Sequence, residues 1–127
     1  MLNIRIFFIL FFLFSCSKKK IDFFDESTSH LRLESSFPFY HGVASGDPLH
    51  DGIILWTRVT PKFIDKEIFG EWYLSSDSTF KSILKKGKFT TNLNKDFTVK
   101  IDVRGLDPGK NYYYYFSSLG HKSLVGK

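Results

Sequence analysis

Short apolar or alternating segments recur along the chain from residue 37 onward, with turn residues between them. The clearest is residues 97–103, in which apolar side chains occupy every second position. Since successive side chains of a β-strand point to opposite faces, this pattern predicts a strand with one buried face. Residues 52–59 are apolar on both faces, which is typical of a central strand. No segment has a sustained helical period, so the pattern predicts an all-β body.

Four further segments complete the predicted strands. Residues 39–44 form an apolar run that ends at residues 45–48, where Gly and Pro predict a chain reversal. Residues 71–74 follow as the next strand, and residues 80–90 interleave four lysines with apolar positions, as is common at an exposed sheet edge. With the run at residues 113–116, the pattern indicates a β-sandwich of about seven strands.

Length and composition set limits on what the chain can contain. With 127 residues it has room for one domain, so we expect no second, catalytic domain. Apolar residues at 43% and aromatic residues at 18% are sufficient for a packed core. The one cysteine, Cys16, cannot form an internal disulfide, so packing and backbone pairing must stabilise the sandwich.

The formal net charge of +5 raises the question of an anionic partner. Four of the basic residues, Arg5 and residues 18–20, lie in or directly after the N-terminal apolar segment. Without these four, 14 basic residues face 13 acidic ones, which leaves the predicted domain almost neutral. We therefore do not expect a nucleic-acid partner.

The N-terminus has the order of an export signal. Arg5 precedes an apolar stretch at residues 6–14, which is short for a membrane span, and small residues surround Cys16. Residues 13–16 resemble a bacterial lipobox, which implies that Cys16 is lipidated and anchors the chain to the membrane. The alternatives are an ordinary cleaved signal or an uncleaved anchor. The predicted organisation is a signal at 1–16, a flexible tether at 17–36 and a sandwich domain at 37–127.

The segment at residues 105–112 predicts a turn followed by a strand. Pro108 and Gly109 form the turn, and Tyr112 opens a row of four tyrosines. The spacing resembles the tyrosine corner of fibronectin type III and immunoglobulin-like sandwiches, which implies a structural hydrogen bond from Tyr112 to backbone upstream. Alternatively, the outward-facing tyrosines could form a platform for carbohydrate or peptide.

Two motifs resemble the opening of alkaline phosphatase D and related phospholipase D-like phosphodiesterases. They are residues 41–48 and residues 51–58, and the resemblance continues to residue 127. It implies a fibronectin-like N-terminal domain that precedes a calcium- and iron-dependent metallophosphoesterase domain. The motif residues are His41, Gly42, Ser45, Gly46, Asp47, Pro48, Trp56, Arg58, Pro108, Gly109 and Tyr112. We expect Trp56 and Arg58 to share one side of their strand, with Arg58 stacking on the indole.

A dense group of His and Asp residues raises the possibility of a metal site. His41, Asp47, His50 and Asp51 have the right ligand types, but Asp before Pro and Asp before Gly are also typical of turns. A two-metal phosphoesterase site needs more converging ligands than these. We therefore predict no catalytic residue, no metal site and no cofactor in this chain, with calcium and iron belonging to the missing catalytic domain.

These observations lead to one functional hypothesis and one alternative. The first is the membrane-anchored accessory domain of an exported alkaline phosphatase D-like enzyme, present as a fragment or truncated gene product without its own activity. Its partner is the metallophosphoesterase domain. The alternative is a stand-alone lipoprotein of the cell envelope that binds a ligand or partner, because sandwiches carry many functions.

Overall fold

The computed structural model describes residues 32–64 and 67–127. The predicted signal at 1–16 and most of the tether at 17–36 lie outside the described residues. Seven strands follow one another along the described chain: β1 (Val43–Leu49), β2 (Gly52–Arg58), β3 (Ile68–Ser75), β4 (Ile83–Thr91), β5 (Thr98–Arg104), β6 (Tyr113–Ser118) and β7 (His121–Lys122). The helical elements of this part are two single 3₁₀ turns, Glu34–Ser36 and Leu93–Lys95.

The strands form two antiparallel sheets. One has the order β1-β2-β5, and the other has the order β4-β3-β6-β7. In an immunoglobulin constant-type domain the fourth strand joins the first sheet, whereas here β4 pairs with β3 in the second sheet. The predicted all-β sandwich is confirmed, with β2 central in its sheet and the lysine-rich β4 at an edge. No helix in the described ranges is long and apolar enough to cross a bilayer.

The core lies between the two sheets and is built by alternation along the strands. In β5, Val99 and Val103 are buried while Lys100 and Asp102 are exposed, as the sequence pattern predicts. Aromatic rings supply most of the volume on the facing sheet. The buried apolar residues are Phe39, Leu55, Val59, Ile68, Leu74, Phe89, Phe97, Val99, Val103, Tyr114 and Phe116.

Gly70 lets the second sheet pack its largest side chains. It lies on the inner face of β3, paired with Phe89 on one side and Ser118 on the other. A Cβ at this position would lie 2.2 Å from Cζ of Phe89 and 2.6 Å from the carbonyl oxygen of Ser117. Only glycine leaves room for the Phe89 ring at the centre of this sheet.

The expected chain reversal at residues 45–48 is wrong, and so is the first strand at 39–44. Residues 45–48 lie inside β1, and the chain turns at residues 50–51. The register shifts between Gly46 and Leu49, and Asp47 has a φ of +49°. The turn-forming residues therefore produce a bulge in an edge strand, because one residue in the left-handed region bends a strand without reversing it.

Candidate functional site

The two sequence motifs form neighbouring strands of the three-stranded sheet. Ala44 pairs with Trp56, and Gly46 pairs with Ile54. Since paired residues of antiparallel strands share a face, the small residues of β1 flank the half-buried Trp56 on the outer face of this sheet. Arg58 lies on the same face of β2, two residues after Trp56. Stacking of Arg58 on the indole stays a prediction.

Arg58 connects three segments at one end of the sandwich. Its Nε donates to the carbonyl oxygen of Asp96 at 3.0 Å, and its guanidinium also pairs with the Asp96 carboxylate. Nη1 of Arg58 lies 3.3 Å from Nε2 of His41. Burial, with the positive charge of Arg58 next in size, lowers the pKa of His41. The cluster therefore ties the ends of β1, β2 and β5 together, with a neutral imidazole beside the arginine.

The candidate metal ligands do not converge. His41 precedes β1 and His50 follows it, so a strand of seven residues, roughly 20 Å, separates them. Nδ1 of His50 lies 3.8 Å from Oδ1 of Asp51, and His50 is largely exposed. Within residues 32–64 and 67–127, no group of three or more His, Cys, Asp or Glu side chains is arranged to hold a metal ion. The residues of this part do not fit the calcium and iron that the resemblance implies.

Tyr112 has the hydrogen bonds of a tyrosine corner. Its hydroxyl accepts a hydrogen bond from the backbone N–H of Asp107 at 2.8 Å and donates one to the Asp107 carbonyl at 3.1 Å. Between them, Pro108 and Gly109 form a turn in which Gly109 has a φ of +70°, as a type II turn requires at its third residue. The hydroxyl thus closes the loop from β5 to β6.

The remaining tyrosines divide between the two faces of β6. Tyr114 points inward and is buried, while Tyr115 faces outward. The Tyr115 ring stacks on Tyr73 at 4.9 Å with an interplanar angle of 18°, and the ring of Phe80 meets it edge-on at 4.7 Å. Lys122 Nζ lies 5.0 Å from the same ring centre. The Tyr115 ring is therefore packed against its neighbours. The platform for carbohydrate or peptide stays a prediction.

A cleft at the opposite end of the sandwich was not predicted from the sequence. It measures about 270 Å³ and lies between the turn after β1, the loop before β6 and the last residue. Leu49, Leu106 and Lys127 contribute to its rim, and the core residues Leu55 and Leu74 contribute to its floor. The sequence pattern identified these residues as strand or loop positions, but nothing in it indicates that they surround a cleft.

The last residues of the chain run beside β6 into this cleft. Gly126 exchanges two backbone hydrogen bonds with Tyr114, of 2.9 and 3.0 Å. A Cβ on Gly126 would lie 2.3 Å from Cζ of Tyr114, so the backbone passes directly over the ring. This contact fixes where Lys127 reaches the cleft. Cys16, the predicted lipidation site, lies outside the described residues.

Comparison with known proteins relates this sandwich to a phosphatase family. Residues 26–127 match the family described as PhoD-like phosphatase, N-terminal domain. Alkaline phosphatase D of Bacillus subtilis (strain 168) is 37% identical over 99 residues, which cover 73% of this chain and 17% of that protein. A solved structure of PhoD matches with a TM-score of 0.68 and 37% identity, covering 72% of this chain and 19% of that one. The chain thus spans less than a fifth of the length of these relatives. It belongs to the family of PhoD-like phosphatase N-terminal domains.

Proposed function

We propose that this chain is the accessory N-terminal sandwich of an exported PhoD-like phosphatase and does not hydrolyse phosphoric esters itself. The observation that supports this most strongly is the match of residues 26–127 to the N-terminal domain family, together with the small share of each relative that the match covers. The similarity covers the N-terminal domain of these relatives, which corresponds to the β-sandwich of this chain. The reaction of the whole enzyme then belongs to the polypeptide that follows this domain.

The arrangement of polar groups is consistent with an accessory role. The His41, Arg58 and Asp96 cluster joins strand ends, and the Tyr112 hydroxyl closes a loop. Both groups are held by protein partners, so they serve the fold. In this proposal, calcium and iron are bound by the metallophosphoesterase domain. Phosphoester hydrolysis by two metal ions needs ligands that converge, and His41 and His50 lie at opposite ends of β1.

We further propose that the chain is exported and anchored through a lipid on Cys16. The support is the order of Arg5, the apolar stretch at residues 6–14 and the cysteine after small residues. Acyl chains contribute about 0.8 kcal/mol for each buried methylene, so several chains hold a small domain at the membrane. Replacing Cys16 with Ala should move the chain from the membrane fraction to the soluble fraction of bacterial cells, or leave an unprocessed precursor. Unchanged membrane fractionation and processing would count against lipidation.

A phosphatase assay tests the central part of the proposal. The purified chain is supplied with calcium and iron and offered a chromogenic phosphomonoester and a chromogenic phosphodiester. Alkaline phosphatase D of Bacillus subtilis, prepared and assayed in parallel, is the positive control. We expect no turnover above the buffer blank for the chain. Turnover that disappears in a His41→Ala or Asp47→Ala variant would overturn the proposal.

A further inference from the structure

We propose that the cleft and the exposed strand β1 form the docking site for the polypeptide that follows the N-terminal domain in PhoD-like phosphatases. This inference rests on the proposed function. It names the surface by which the accessory domain would contact the rest of the enzyme. The site consists of the residues 43–50 of β1 and its turn, the loop at 105–110 and the end of the chain at Lys127.

The cleft opens onto the hydrophobic core. Leu55 and Leu74 are fully buried in the sandwich, and both contribute to the floor of the cleft. Ser45 pairs with Leu55 and therefore faces inward, where its side chain is hydrogen-bonded to Tyr114 of the second sheet, yet it is exposed. Since both leucines are already covered, the cleft is a recess over the core and not an unfilled hole in it. An apolar side chain that enters this recess would cover the exposed Leu49 and the half-buried Leu106 at its rim.

Strand β1 is exposed along nearly its whole length and is unsuited to pairing with another strand. Six of its seven residues, from Ala44 to Leu49, are exposed. The bulge at Asp47 bends the edge, and Pro48 has no N–H to donate. Both features block edge-to-edge β-pairing. The partner therefore contacts the side chains and the bent backbone of β1 and does not extend the sheet.

The path of the last residues toward the cleft indicates which polypeptide occupies it. Gly126 is held against Tyr114 by its two backbone hydrogen bonds, and Lys127 lies at the cleft. In the relatives, the matched part makes up 17% or 19% of the protein and is an N-terminal domain. Residues that continue from position 127 therefore begin at the cleft itself. A domain joined at this point reaches β1 and the cleft with a short connection.

Exposed apolar residues lie near the point where Lys127 reaches the cleft. Leu49 is 52% exposed at the end of β1, and Leu124 and Val125, directly before Gly126, are 73% and 52% exposed. Leu84 offers a matched comparison, because it is 51% exposed but lies on β4, at the opposite edge of the four-stranded sheet. The same Leu→Asp change can therefore be made inside and outside the proposed site.

The experiment joins the chain through Lys127 to the part of Bacillus subtilis alkaline phosphatase D that follows its matched segment. Backbone hydrogen exchange is measured for this chimaera and for the chain alone in the same detergent. We expect exchange in residues 43–50 and 105–110 to become several-fold slower in the chimaera. The L49D variant should return β1 to the exchange rate of the chain alone, whereas the L84D variant should stay protected.

The outcomes separate this inference from the proposed function. Slower exchange that is confined to β4, or to the residues around Tyr73 and Tyr115, would overturn the docking site and leave the accessory role intact. Equal loss of protection in L49D and L84D would also overturn the docking site. A chimaera with no slower exchange anywhere in the sandwich would also overturn the docking site, whereas turnover by the chain alone would overturn the proposed function.

Discussion

Removing the Tyr112 hydroxyl is the sharpest test of how the loop before β6 is held. In Tyr112→Phe the ring keeps its packing, but the two hydrogen bonds to the Asp107 backbone are lost. A hydrogen bond contributes about 0.5–1.5 kcal/mol net, and since these lie near solvent we take the lower half of that range for each, about 1–2 kcal/mol together. For a domain of this size that corresponds to a melting temperature lower by roughly 4–16 °C.

Thermal unfolding followed by circular dichroism measures this change, with Tyr113→Phe as the matched control. Tyr113 is the next residue, and within the described residues its hydroxyl makes no hydrogen bond that Phe would remove. We expect the control to melt within about 2 °C of the unmodified chain, because the change removes no hydrogen bond. Equal melting temperatures for both variants would refute the structural role that we assign to the Tyr112 hydroxyl.

Three further predictions concern other parts of the sandwich. Gly70→Ala should destabilise the fold by about 1–3 kcal/mol through overpacking against Phe89, whereas Gly46→Ala, whose Cβ meets no atom within 4 Å, should be neutral or slightly stabilising in urea unfolding. Because the pKa of His41 is lowered below its ordinary value of 6.5, the unfolded chain takes up the proton first, and stability should fall as the pH drops from 6.5 through the folded pKa. His41→Gln should flatten that slope in melts between about pH 8 and pH 5. Hydrogen bonds from Thr79 and from the Ser82 backbone are the main cause of the low pKa of Asp77, so Asp77→Ala should speed hydrogen exchange in residues 76–82.

The strands were largely predictable from the sequence because most of them pack one face on the core. Alternation in residues 97–103 indicated β5, and the doubly apolar run at 52–59 indicated the central strand β2. The lysines of β4 marked it as an edge. In each case the pattern of apolar and polar residues within a strand reflects which of its faces is buried, so the strand can be predicted from its own segment of sequence.

The error at β1 has a physical cause. Ser, Gly, Asp and Pro at residues 45–48 favour turns, and they do adopt a turn-like backbone, since Asp47 has a φ of +49°. Pairing with β2 on both sides of the bulge keeps the segment in the sheet. Local preference therefore favoured the predicted reversal, while tertiary pairing turned the same residues into a bulge within the strand.

The cleft could not be predicted from the sequence for a different reason. It is lined by residues that are distant in the chain and meet only in the folded sandwich, and Ser45 and Leu106 give no sign of it individually. The cluster of His41, Arg58 and Asp96 could not be predicted for the same reason. Arg58 is 17 positions from His41 and 38 positions from Asp96 in the sequence. The candidate metal ligands show the reverse error. They are close in sequence, which suggested that they could meet, but the extended strand β1 keeps His41 and His50 apart.

One comparison tests the accessory role most directly. Hydrolysis of a chromogenic phosphodiester is measured for the chain alone, for the part of Bacillus subtilis alkaline phosphatase D that follows its matched segment, and for the two joined at Lys127. The account predicts no turnover by the chain, and a higher rate or longer thermal half-life for the joined protein than for the Bacillus part alone. Turnover by the chain alone, or a joined protein no better than the Bacillus part, would contradict it.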